Sequence, residues 1–190
     1  MPASPARALV LVGFMGAGKT TVGRALSKRL GWQFEDLDER IERREQKSVA
    51  EIFQVQGEYG FRRAERAALM ESLEELKSGT AKILALGGGA FVNEKNRALI
   101  EESNVLTLFL DAGPEESWRR CAAQREKDGT ERPLLKTGDT FRALYHLRRP
   151  HYLKAAYRQQ TSRRSVDEIV EEIIQTARTA LGRSKTRKSD

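Results

Sequence analysis

Residues 8–20 read ALVLVGFMGAGKT, and this stretch decides the fold. The five apolar residues Ala8–Val12 are too short for a buried helix and suit a buried strand. The run breaks at Gly13, and Gly13–Thr20 then fits G-x-x-x-x-G-K-[ST]. Beyond Gly18, Val22, Ala25, Leu26 and Leu30 recur at helical spacing up to Gly31, which predicts an amphipathic helix. Strand, glycine loop and helix in that order form a phosphate-binding unit. Glycines let the backbone curl so that successive N–H groups face a phosphate, and the helix N-terminus adds its positive end. Gly16, Ala17, Gly18, Lys19, Thr20 and Thr21 are the expected ATP-binding set. Lys19 is placed to reach the β and γ phosphates and Thr20 to ligate Mg²⁺.

Outward from this unit, three more patches read as buried parallel strands: Gln33–Asp36, Ala81–Leu86 and Asn104–Leu110. Helical patterns separate them, as a wound α/β sheet requires. Ser48 with Glu51 reads as a capping box opening a short helix that Gly57 stops. A longer helix follows, with Phe61, Ala64, Ala68, Leu69, Leu73 and Leu76 inward and Ser78-Gly79 at its end. A second capping box, Ser165 with Glu168, opens a last helix whose stripe runs from Val166 to Leu181. Between two helical patterns, residues 123–137 (AQREKDGTERPLLKT) are polar and charged, which predicts a loop that is either disordered or a functional lid.

The whole chain has 190 residues, 39% hydrophobic and 32% charged, the size of one domain. No apolar run approaches the roughly 18 residues of a membrane span. Residues 1–7 have no apolar segment of signal-peptide length behind them and read as an untargeted, disordered tail. A single cysteine, Cys121, fits a reducing cytoplasm. The net charge of +7 implies an anionic partner: nucleic acid, an acidic membrane or a phosphorylated metabolite. Much of the excess lies after the last helix, where Arg183, Lys185, Arg187 and Lys188 form a basic tail over 182–190, expected to be disordered.

Three further features carry chemistry. Asp36 and Asp38 stand at i and i+2 at the end of the second strand pattern, so as strand residues they would share a face where open α/β sheets bind ligands. Beside a Mg²⁺-nucleotide, Asp36 would serve the metal and Asp38 an acceptor hydroxyl whose proton it takes; alternatively, Asp38 simply caps a helix beginning at Glu39. Gly87-Gly88-Gly89 follow the third strand and allow backbone N–H groups close to a ligand. Arg62, Arg132 and Arg148 supply guanidinium forks suited to a carboxylate or a transferring phosphoryl group, although Arg62 could equally pair with Glu58 or Glu65 at helical spacing.

Together with F-R-x-x-E at Phe61–Glu65, R-P-L-L at Arg132–Leu135 and R-x-P-x-Y at Arg148–Tyr152, these motifs resemble shikimate kinase from about Ala8 to Leu181. The resemblance implies a three-layer α/β/α P-loop kinase with a central parallel sheet and a mobile lid. It implies a single kinase domain over 8–181, with a substrate-binding helical segment at about 38–77 and the lid at about 123–137. The implied reaction transfers the γ-phosphoryl group of ATP to the 3-hydroxyl of shikimate. Asp38 would orient the ring hydroxyls, Arg62 and Arg148 would hold the carboxylate, and Gly87, Gly88 and Gly89 would line the substrate. Glu65 would brace the arginines, and Phe53 and Phe61 would wall the ring. Arg132 would swing in with the lid, while Arg120 and Arg164 would lie near the adenine. Mg²⁺ is the implied cofactor, and a monomeric, cytoplasmic enzyme without nucleic-acid or membrane partners is expected.

The rival within the same architecture is another small kinase, for gluconate or a nucleoside monophosphate. A GTPase is disfavoured because no N-K-x-D motif occurs. From a different class, a nucleic-acid-binding ATPase would explain the basic charge but calls for aromatics interleaved with it, and the chain is only 7% aromatic.

Overall fold

The computed structural model describes residues 8–128 and 137–186. Strand β1 (Ala8–Val12) is buried along its whole length, and its side chains divide by the period of two. Leu9 and Leu11 enter one core and Val10 and Val12 the other, so both faces of the sheet are covered. The sheet is parallel, with β2 (Gln33–Asp36), β3 (Lys82–Ala85), β4 (Leu106–Asp111) and β5 (Tyr157–Gln160) in the order β2-β3-β1-β4-β5. Val10 pairs with Leu84 on one side and with Thr107 on the other. Because the chain leaves β1 toward one edge and later returns to its other side, a crevice opens at the C-terminal end of β1.

Helices α1 (Lys19–Leu30) and α7 (Val166–Thr186) cover the Leu9–Leu11 face, where Val22, Leu26, Ile169 and Ile173 are buried. The opposite face carries α2 (Leu37–Glu45), α3 (Val49–Lys77), α4 (Glu94–Glu102), α5 (Pro114–Asp128) and α6 (Gly138–Tyr152). Ile41, Leu69, Ile100, Cys121 and Phe141 are among the residues that they bury there. Each fully buried leucine or isoleucine contributes about 1.5–3 kcal/mol by transfer from water. These layers meet the expectation of a three-layer α/β/α fold.

Both capping boxes form: Ser48 with Glu51 at α3, and Ser165 with Glu168 at α7. Four expectations need correction. Gly57 does not stop a helix but kinks α3 at φ 66°, ψ −173°, and helix resumes at once. The loop expected from 123 is helical up to Asp128, where α5 ends; Ala123–Lys127 are helix formers with no breaker before Gly129. Residues 129–136, which include Arg132, lie outside the described residues, as do residues 1–7. The tail expected to be disordered from 182 is helical as far as Thr186; 187–190 lie outside the described residues. Asp38 is not a strand residue, since β2 ends at Asp36 and Asp38 sits in the first turn of α2. The polar strand β5 buries only Gln159, whose Nε2 donates to Glu172 at 2.7 Å.

A polar network absent from the sequence reading ties α2 and α3 to the sheet edge. Glu35 on β2 accepts from Arg40 (2.8 Å), Lys82 (3.1 Å) and Ser72 (2.9 Å). Burial alone would raise the Glu35 carboxyl, but these three donors outweigh it and hold it below the usual carboxylate range.

Gly23 on the inner side of α1 marks how closely that helix packs. A β-carbon there would lie 2.3 Å from Phe34 Cε2 and 3.2 Å from Leu11 Cδ1. Replacing a mid-helix glycine by alanine ordinarily gains about 1 kcal/mol, whereas overpacking costs about 1–3 kcal/mol. Gly23→Ala is therefore expected to lower the urea midpoint by about 1 kcal/mol equivalent, with an unchanged slope. A midpoint at or above the native value would show that Phe34 moves aside without cost.

Candidate active site

The loop between β1 and α1 turns on residues that only glycine suits. Gly16 has φ 75°, and a β-carbon on it would lie 2.3 Å from the carbonyl oxygen of Ser117 on α5. The first turn of α1 has no side-chain cap at Gly18 and no acidic residue. A helix N-terminus of this kind, opening directly from a glycine loop, suits a phosphate. Lys19 Nζ donates to the carbonyls of Gly13 and Phe14 at 2.9 Å each, which holds the amine across the loop. Thr21 in the same turn is exposed.

Thr20 Oγ1 donates to Asp36 Oδ2 at 2.8 Å. The other Asp36 oxygen accepts from the backbone N–H of Asp38 at 3.1 Å and so caps α2. Asp36, not Asp38, is the capping residue, and the two carboxylates diverge instead of sharing a strand face. That divergence separates their chemistry: Asp36 turns to the phosphate loop, and Asp38 turns to the glycine tract after β3.

The glycine tract is where the candidate substrate residues meet. A β-carbon on Gly87 would lie 2.6 Å from Asp38 Oδ1, and one on Gly89 would lie 2.5 Å from Arg62 Nη1. At Gly88 it would have Arg148 Nη1 at 3.6 Å, Met15 N at 3.7 Å and the Tyr152 hydroxyl at 3.8 Å. At Gly87 and Gly89 the absence of a side chain lets a carboxylate and a guanidinium lie directly against the backbone. Asp38, Arg62 and Arg148, remote in sequence, therefore surround three consecutive residues beside the phosphate loop.

Glu65 braces Arg62 from below, accepting from Nη1 at 3.0 and 3.1 Å. It is buried, and burial raises its carboxyl above the usual range despite the opposing Arg62 charge. Arg62 also reaches Glu58 at 3.3 Å and lies 5.2 Å from the centre of the Phe61 ring. Phe61 in turn stacks on Phe53 at 4.5 Å, and Phe53 keeps an exposed edge. Tyr152 donates to the carbonyl of Gly88, and burial pushes its phenol up.

Arg120 backs the phosphate loop. Its Nη1 approaches the carbonyls of Gly16 and Ala17 at 3.4 and 3.5 Å, and Nη2 reaches Thr161 O at 3.3 Å and Glu116. Arg164 is not brought to this group; it forms a bidentate pair with Glu172 at 2.6 Å through both nitrogens. Two partners escaped the sequence reading. Asn96 Nδ2 approaches Glu65 at 3.5 Å, and buried Asp111 at the end of β4 anchors α6. The signal for Asp111 was present as an acidic residue closing an apolar strand at the ligand-binding edge.

Among the described residues no helix is long and apolar enough to cross a membrane. Comparison with known proteins gives the same picture as the geometry. The family model described as shikimate kinase matches residues 15–178. The shikimate kinase of Symbiobacterium thermophilum is 40% identical over 171 residues, covering 88% of this chain and 94% of that protein. The structure of shikimate kinase from Acinetobacter baumannii in complex with shikimate superposes with a TM-score of 0.77 at 34% identity, covering 91% of this chain and 93% of that one. A gluconokinase from Sinorhizobium meliloti has a TM-score of 0.62 at 14% identity over 97% of this chain and 98% of that one, a likeness of fold alone. Matched along nearly its whole length in both sequence and structure, the chain belongs to the shikimate kinase family.

Proposed function

We propose that this enzyme transfers the γ-phosphoryl group of ATP to the 3-hydroxyl of shikimate, giving shikimate 3-phosphate and ADP on the route to chorismate and the aromatic amino acids. The observation that carries this reading is the convergence of Asp38, Arg62 and Arg148 on Gly87–Gly89 next to Met15 of the phosphate loop. Two guanidinium forks suit a carboxylate, and a carboxylate suits a hydroxyl, so the site has the polarity of a hydroxylated acid. Phe53 and Phe61 supply an apolar wall for its ring.

In the proposed reaction, the N–H groups of Gly16–Thr21 and the Lys19 ammonium hold the β and γ phosphates. Asp38 orients the acceptor hydroxyl and takes its proton as the oxygen bonds to the γ phosphorus. The bond from that phosphorus to the β–γ bridging oxygen breaks, and ADP leaves. Little covalent chemistry falls to the protein, so positioning and charge compensation supply most of the acceleration. The lid role is assigned to the segment between α5 and α6, which carries Arg132 to the transferring group. Arg120 lies toward the adenine, and Arg164 would have to leave Glu172 to join it.

Mg²⁺ fits Thr20 and Asp36, a hydroxyl and a carboxylate oxygen 2.8 Å apart at the loop. Mg²⁺ takes one or two protein oxygens alongside phosphate and water, so Thr20 would ligate it directly and Asp36 through its water shell. When bound, the ion neutralises charge on the phosphate oxygens.

The pairing of many arginines with carboxylates supports a metabolite over a nucleic acid. Arg40, Arg44, Arg62, Arg97, Arg120, Arg149, Arg158 and Arg164 are each paired with carboxylates. The reading is of a single kinase domain acting as a monomer in the cytoplasm. A coupled assay of ADP release with shikimate, quinate and gluconate in parallel tests it. Shikimate-dependent release is expected, with the other acids slower by about 10²-fold or more. Faster turnover of gluconate, or tight salt-sensitive binding of single-stranded DNA without shikimate-dependent release, would overturn it.

A further inference from the structure

Arg148 lies on α6, three residues after Tyr145 and four before Tyr152; Tyr145, Arg149 and Tyr152, spaced at four and three residues, form a stripe beside it. Each of the three is bonded to the end of a strand. Tyr152 reaches the carbonyl of Gly88 after β3. Tyr145 and Arg149 both go to Asp111, the last residue of β4.

Asp111 has a side chain only 3% exposed and still collects donors from two elements. Its Oδ1 accepts from the Tyr145 hydroxyl at 3.1 Å and is approached by Arg149 Nε at 3.5 Å. Its Oδ2 accepts from Arg149 Nη2 at 2.7 Å and from Arg158 Nε, on β5, at 2.8 Å. A buried carboxylate held this way is costly to disturb, since removing its charge leaves two guanidinium groups facing each other. Apolar contacts orient the same helix. The Tyr145 ring meets Phe14 of the phosphate loop edge-on at 5.4 Å, and the Tyr152 ring lies 5.4 Å from Phe109 on β4.

Helix α6 is thus pinned on both sides of Arg148. A rotation of the helix about its axis would break the Asp111 bonds and move the Arg148 guanidinium away from Gly88 together. We propose that Asp111 is a positioning residue for the substrate carboxylate: it fixes the rotation of α6 and so sets the Arg148 fork at the glycine tract. The inference rests on the proposed role of Arg148 in holding shikimate. In this role Asp111 acts through Arg148 and not by contact with substrate. Its effect should therefore fall on shikimate binding, be transmitted through Arg148, and leave the nucleotide side unmoved.

The test is a steady-state comparison of the native enzyme, Asp111→Asn, Arg148→Lys and the double variant, with KM measured for shikimate and for ATP. Asp111→Asn is expected to raise the shikimate KM about tenfold, with the ATP KM changed less than about twofold. In the Arg148→Lys background the same substitution should add less than about twofold, because residues acting as a unit are not additive. An unchanged shikimate KM, an equal rise for both substrates, or the full rise repeated in the Arg148→Lys background would overturn the positioning role. Should Asp111→Asn fail to fold, Tyr145→Phe removes one bond to Asp111 without changing charge. A rise of about threefold in the shikimate KM is then expected, and no rise overturns the proposal. Absence of shikimate-dependent ADP release from the native enzyme would overturn the functional reading and this role with it. A normal native rate with unmoved KM values overturns this role alone.

Discussion

Lys19→Met is expected to lower kcat by about 10³-fold or more, the loss found when a charge aimed at the transferring phosphoryl group is removed. The structure separates this from a folding defect. Lys19 Nζ donates to two loop carbonyls, those of Gly13 and Phe14. Bonds of that kind contribute about 0.5–1.5 kcal/mol each to stability, less where solvent can replace the donor. Methionine keeps the unbranched side chain, one atom shorter, and its place in the first turn of α1, so circular dichroism and the melting temperature should change little. The fall should appear mainly in kcat, because the loop N–H groups still hold the phosphates and the ammonium matters most where charge builds up in transfer. A variant retaining more than about a tenth of native turnover would take Lys19 out of the charge-compensating role.

Much of this architecture is carried by local patterns. The apolar run Ala8–Val12 followed by G-x-x-x-x-G-K-T names the strand, the loop and the start of α1 within a residue. The Ser165–Glu168 box likewise names the start of α7. Local pattern fails where local and distant preferences compete. Asp36 and Asp38 have the spacing of strand neighbours, but Asp36 accepts from the Asp38 N–H in the first turn of α2 and ends the strand there. The polar run beginning at Ala123 reads as loop by charge, yet its residues have high helix propensity and extend α5. The Lys82–Glu35 and Arg149–Asp111 pairs are separated by 47 and 38 residues, so no periodicity could reveal them. The candidate substrate site was legible as a set of residue types, and its geometry was not, because only the sheet order brings the end of β3 beside both α2 and α6.

Asp38→Asn distinguishes the two services asked of that carboxylate, and the size of the effect decides between them. Asparagine preserves the shape and can still accept a hydrogen bond from an acceptor hydroxyl through its amide oxygen, but it is a poor proton acceptor. If orientation were the whole role, the loss in kcat would be about tenfold. Removal of a general base costs about 10²–10⁴-fold, and a loose phosphoryl-transfer transition state, in which the attacking oxygen gains little positive charge, places the expectation at the lower end of that range. We therefore expect kcat to fall by about 10²–10³-fold while the shikimate KM moves by only a few-fold, since in the proposed site Arg62 and Arg148 would still hold the carboxylate. Gly87→Ala provides an independent check, because its β-carbon would stand 2.6 Å from Asp38 Oδ1 and push the carboxylate off the site without altering its charge. Both variants should lose kcat, and combining them should cost little more than the worse single change, because each disables the same group. A near-native kcat in Asp38→Asn, or fully multiplicative losses in the double variant, would show that the carboxylate over Gly87 does not act on the acceptor hydroxyl.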